Sequence, residues 1–180
     1  ADIFLAAIRD RTTDPAQRKS AFGGLVNSQL MMNFEAGTTW LEKSDFTEEE
    51  RKDLFSTLSD FALRDQPGKW LEWIENQEKV EGFNPSYATK SIIERWTMEN
   101  FAATGEWINT QPDGLQKNQA TQTYAETLAP LEPEAAADWA GTLPEGKERT
   151  RIFEKIHRSL TEKDPAAATA FAEKYSLKPE

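Results

Sequence analysis

Apolar residues along this chain return at helical spacing in alternating long and short runs, each opened by a cap or a proline. Asp14-Pro15 pairs an N-cap with a first-turn proline, a combination that starts helices well. The run that follows, to about Met32, places Phe22, Leu25, Val26 and Leu30 near one face. Asn33 caps a shorter run carrying Trp40 and Leu41. Thr47 and Glu50 form a capping box for a helix bearing Leu54, Phe55, Leu58, Phe61 and Ala62, and Pro67 opens its short partner KWLEWIENQ. After a break at 78–84, Asn84-Pro85 restarts the pattern with Ala88, Ile92, Ile93 and Trp96, and Asn100 caps the run bearing Trp107. A turn at Gln111–Gly114 leads to a run with Ala120, Tyr124 and Leu128, and Pro133 then opens a short run with Trp139. A matching turn at Pro144–Gly146 precedes Ile152, Phe153, Ile156 and Leu160, and Asp164-Pro165 starts the last short run. Residues 3–10 read as the final helix of a preceding, truncated unit.

The alternation is an internal repeat. EPEAAADWAGTLPEG at 132–146 is echoed thirty-two residues later by DPAAATAFAEKYSLK and thirty-two earlier by NFAATGEWINTQPDG. Aligned on one aromatic column, the units carry Trp40, Trp73, Trp107, Trp139 and Phe171, spaced 33, 34, 32 and 32. Fifteen residues before each stands Leu25, Leu58, Ile92, Tyr124 or Ile156, and nineteen before stands Ala21, Leu54, Ala88, Ala120 or Ile152. A helical hairpin cannot cover its own apolar stripe, so tandem hairpins stack and share a continuous core. The expected fold is all-α: a solenoid, an α-α superhelix of about five stacked antiparallel hairpins with a period of 32–34. It makes one helical-repeat domain over 1–180, with units at 14–46, 47–83, 84–113, 114–145 and 146–180 and the truncated end at 1–13. In this reading the five aromatics are core anchors between successive hairpins.

Composition narrows the partners. The net charge is −10, and residues 46–110 hold 13 acids against 7 bases. No basic face is visible, so nucleic acid and anionic membrane surfaces are poor partners. No apolar run approaches the roughly 18 residues that would insert in a bilayer. Cysteine is absent, which removes disulfides and thiolate chemistry and suits a cytoplasmic or an exported protein equally. Beginning at Ala1 rather than Met, and inside a helical pattern, the chain reads as a piece of something longer or a processed product. A removed targeting segment therefore stays open, as does the oligomeric state.

The stretch TLPEGKERTRIFEKIHRSLTEKDPAAATAFAEKYS resembles the Ala/Trp-rich helical repeats of large, mostly uncharacterised bacterial proteins, whose units read DPxAAxxWA…LPxG…R. The period is also close to the roughly 34 residues of tetratricopeptide repeats. The Trp-x-x-Leu-Gly…Tyr run of those repeats is missing here, and the proline opens the second helix. The resemblance implies a tetratricopeptide-like superhelix and carries no catalytic residue with it.

Candidate chemistry is thin. His157 is the single histidine, on a helix beside Glu154 and Arg158, and without Cys or a second His it makes a poor metal site. No catalytic residue, metal or cofactor is expected. Two acidic columns recur: Asp60, Glu94 and Glu126 on the long helices, and Glu72, Glu106 and Asp138 on the short ones. Hairpins stacked about 10 Å apart would turn each into a carboxylate ladder for a Lys/Arg-bearing partner, although so acidic a chain also produces solvated acidic faces by chance. Trp70 stands where the other units have Gly37, Thr104, Ala136 and Ala168, so an indole there either fills an irregular gap or projects as an aromatic anchor beside Glu72, Glu94 and Glu106. The expected function is a non-enzymatic scaffold whose acidic groove binds a protein or peptide, in particular a basic one. The alternative is an all-α carbohydrate-active or carbohydrate-binding module using Trp70 and an acidic pair.

Overall fold

A computed structural model describes residues 2–12, 14–51, 53, 54, 62, 66–77 and 85–177. The expected apolar positions Phe55, Leu58 and Phe61, the acid Asp60, the break at 78–84 and the cap Asn84 lie outside them. The described residues are all helix, turn or loop, with no strand among them. None of their helices is long and apolar enough to cross a membrane. The chain divides into two compact units, Ala1–Ile92 and Ile93–Glu180.

In the first unit α1 (Asp2–Arg11) packs on α2 (Pro15–Leu30), and α2 on α3 (Phe34–Lys43). The sequence signals act as caps. Asp14 accepts from the Gln17 amide at 2.9 Å, and Asn33 from the Ala36 amide at 2.8 Å. Thr47 and Glu50 close the reciprocal capping box, each side chain accepting from the other's amide at 3.2 and 2.8 Å. Residues 48–51, 53, 54 and 62 are helical, and α4 (Pro67–Glu75) follows. Gln66, just before it, takes the left-handed conformation. The core gathers Leu5, Phe22, Val26, Leu30, Trp40, Leu41 and Phe46. Phe46 meets Phe22 and Trp40 edge-on at 5.9 and 5.2 Å.

The boundary between the units falls inside α5 (Pro85–Thr110). Asn100 breaks that helix with an extended backbone while its side chain accepts from the Ala103 amide at 3.0 Å, so the long run and the short run join through the expected cap. In the second unit α6 (Leu115–Leu128), α7 (Pro133–Thr142), α8 (Lys147–Lys163) and α9 (Pro165–Lys174) follow. Each packs on its successor, and α6 also packs on α8. Small residues permit the close approach. A Cβ on Gly105 would lie 3.1 Å from both Trp139 Cζ2 and the Tyr124 hydroxyl, while Ala136, Ala137 and Ala140 are buried on α7.

Several polar contacts join residues one period apart. Lys19 pairs with Asp53 at 2.7 Å and Lys69 with Glu35 at 3.2 Å, each across 34 residues. Lys163 donates to the Pro130 carbonyl across 33.

The short helices correct the expected core. Among the aromatic anchors, Trp40 and Phe171 are buried, whereas Trp73, Trp107 and Trp139 are only half-buried. The position three residues earlier is buried in every unit: Gly37, Trp70, Thr104, Ala136 and Ala168. Trp70 is 2% exposed and meets Phe34 and Trp73 edge-on at 5.0 and 5.8 Å. Of the two readings of Trp70, the projecting binding anchor is therefore corrected to a core residue that fills space between helices. Close packing sets only the filled volume. At 70 the indole itself fills that volume, against Phe34 and Trp73, where the other units carry Gly37, Thr104, Ala136 and Ala168.

Candidate binding groove

In the first unit a groove of about 730 Å³ opens between α1, the first half of α2 and the helical residues after Thr47. Phe22 forms its apolar floor. Arg9 comes off the last turn of α1 and reaches Glu50 through two hydrogen bonds of 2.9 and 2.5 Å, while donating also to the Asp45 carbonyl. Lys19 pairs with Asp53 on the rim, and Arg18 donates to the Thr12 carbonyl at 3.1 and 2.8 Å. Cations thus line one wall, and Glu48, Glu49, Glu50 and Asp53 the other.

Burial pushes the Glu50 carboxyl up, but the Arg9 guanidinium and the Thr47 amide outweigh it and hold the group below its ordinary value. Arg9 is raised, mainly by its hydrogen bonds to Glu50. Lys19 is raised by its hydrogen bond to Asp53. Fixed, paired charges around an apolar floor can exchange partners with the charges of a bound segment while an apolar side chain is sheltered between them.

The second unit has a comparable groove of about 690 Å³ between the first half of α8 and residues 174–177. Phe153 and Tyr175 stack at 4.3 Å within it, and Arg149 lies 5.5 Å over the Phe153 ring. Lys174, over Tyr175, is raised by a hydrogen bond to that hydroxyl. Asp138 and Glu134 add their charges to the same effect.

The residues singled out in the sequence are not assembled into either groove. Trp70 is in the core of the first unit, and Glu72 is exposed on α4. In the second unit Glu94 is half-buried, and Glu106 and Asp138 are exposed. Glu126 is committed to Arg151 and accepts from Gln122 at 3.1 Å. Gln122 also donates to Glu148 at 3.0 Å. Glu126 therefore enters a tie between α6 and α8, in which Arg151 is shared with Glu148, rather than an open carboxylate ladder. His157 is half-buried on α8. Among the described residues no three His, Cys, Asp or Glu side chains are placed to hold a metal ion.

Sequence reading missed Arg9, Lys19 and Asp53. The signal was present in part, because Lys19 and Asp53 are opposite charges one period apart. No family model, curated protein or solved structure matches the chain.

Proposed function

We propose that this chain is a non-enzymatic scaffold, a tetratricopeptide-like α-α superhelix, that binds a protein or peptide, in particular a basic one. What supports the reading is the set of contacts one period apart, Lys19 to Asp53, Glu35 to Lys69 and Pro130 to Lys163. Stacking of that kind exposes a repeated surface rather than one enclosed cavity, and repeat arrays use such surfaces for recognition. The net charge of −10 favours basic segments over nucleic acid or anionic lipid. The carbohydrate alternative relied on Trp70 as a stacking platform, and a ring 2% exposed offers no face to a sugar.

Selection of random peptides displayed on phage tests the proposal. The expected outcome is enrichment of peptides with net positive charge and one or more large apolar residues. Their binding should weaken as salt screens the charges, over a Debye length of about 10 Å at 0.1 M. Recovery no greater than from an uncoated surface, or enrichment of acidic peptides, would overturn it.

A further inference from the structure

Methionine is ordinarily a core residue. This chain has three, and all of them are exposed, Met31, Met32 and Met98 at 58–64%. All three also occupy one place in the repeat, the passage from the long to the short helix of a hairpin. Met31 and Met98 each stand nine residues before their aromatic anchor, and Met32 and Leu131 each stand eight before theirs. Phe101, on the same turn as Met98, is 44% exposed, and Leu131 43%. Five of the nine large hydrophobic residues exposed among those described therefore sit on this one kind of turn. Scattered surface hydrophobics need no explanation, but a set that recurs at one kind of turn along the chain does.

The turns of the second unit are held in place from below. The Tyr124 hydroxyl donates to the Phe101 carbonyl at 3.0 Å, which ties the turn at Asn100 to α6. Lys163 donates to the Pro130 carbonyl, which ties the next turn to the end of α8. The backbones are thus anchored while the Met98, Phe101 and Leu131 side chains stand in solvent. Glu99, Glu132 and Glu134 are exposed on these same stretches.

We infer that the long-to-short turn edge of residues 93–180, centred on Met98, Phe101 and Leu131, docks a cationic amphipathic helix. This rests on the scaffold reading and gives it a surface and a partner chemistry. Unbranched, polarizable methionine side chains adapt to apolar partners of varied shape. The acids on the rim would meet the lysines or arginines flanking the apolar stripe of such a helix. Charge complementarity selects this occupant over others. A second copy brings another −10 and the same acidic rim, and an anionic membrane is repelled likewise.

The test uses the whole chain and an amphipathic peptide of about 18 leucine and lysine residues, long enough for five helical turns. A leucine–glutamate peptide of the same pattern is the control. Fluorescence anisotropy should show binding of the cationic peptide alone, weakened about tenfold or more in Met98→Gln/Leu131→Gln, since buried anchors carry most of the energy of such interfaces. Circular dichroism of that variant should be unchanged, because both side chains are exposed. Mild peroxide treatment makes methionine polar, so it should weaken binding to the native chain and spare the Met98→Leu variant. Cationic binding that is indifferent to the double substitution overturns this inference and leaves the scaffold reading standing. Equal binding of the acidic peptide overturns the charge assignment. Self-association abolished by Met98→Gln/Leu131→Gln would make the occupant a second copy and overturn the proposed partner. Failure to bind this peptide overturns the inference by itself, whereas a phage selection that also returns nothing overturns the scaffold.

Discussion

Replacing Trp70 by alanine should be among the most destabilising single changes in the described part of this chain. The indole is 2% exposed, and burying a Trp removes about 150–250 Å² from water. At about 25 cal/mol per Å² that is roughly 4–6 kcal/mol. The edge contacts with Phe34 at 5.0 Å and Trp73 at 5.8 Å add about 0.5–1.5 kcal/mol each. Partial collapse around the void returns some of this, and Trp→Ala changes in cores cost about 3–5 kcal/mol. With a urea dependence of about 2 kcal/mol per molar, a loss of about 4 kcal/mol lowers the unfolding midpoint by roughly 2 M. Trp107 is the natural comparison. It is half-buried, with a tilted contact to Trp96 at 5.9 Å, so Trp107→Ala should move the midpoint about half as far. Both variants are followed by far-ultraviolet circular dichroism in urea. A Trp107→Ala shift equal to or larger than that of Trp70→Ala would refute the argument that the position three residues before the aromatic column carries the core.

Two further changes probe separate features. Gly105→Ala pushes a methyl against Trp139 and Tyr124 at 3.1 Å and should cost about 1–3 kcal/mol. Gly23→Ala on α2 meets nothing within 4 Å and should stabilise by up to about 1 kcal/mol, so equal midpoints for the two would refute the packing. Glu50 has a folded pKa below its unfolded value, so its stabilisation is present above the ordinary carboxylate range and lost as pH falls through the folded value. Glu50→Gln should therefore flatten the acid limb of a stability–pH curve, and an unchanged slope would show that the Arg9 pair contributes nothing measurable.

Much of the local structure was legible because it depends on neighbours in sequence. Asp14, Asn33, Asn100, Asp164 and the Thr47–Glu50 box cap helices where their positions say they should, since a cap needs only the next two or three amides. The all-helical class was legible as well, from apolar residues at helical spacing, and the described residues hold no strand. Which aromatic is core was not. Trp70 and Trp107 read alike as large apolar residues on short helices, and column similarity favoured Trp107. Burial depends on which face of the short helix turns inward: the position of Trp70 is buried in every unit, whereas the position of Trp107 is only half-buried in three of five. The candidate site divides in the same way. Acidic columns follow from spacing, but whether a carboxylate stays available depends on the opposite helix, and Arg151 takes Glu126. Nor does sequence distinguish a methionine inside a helix stripe from one at its end. Met98 falls two residues before the Asn100 break and is 62% exposed.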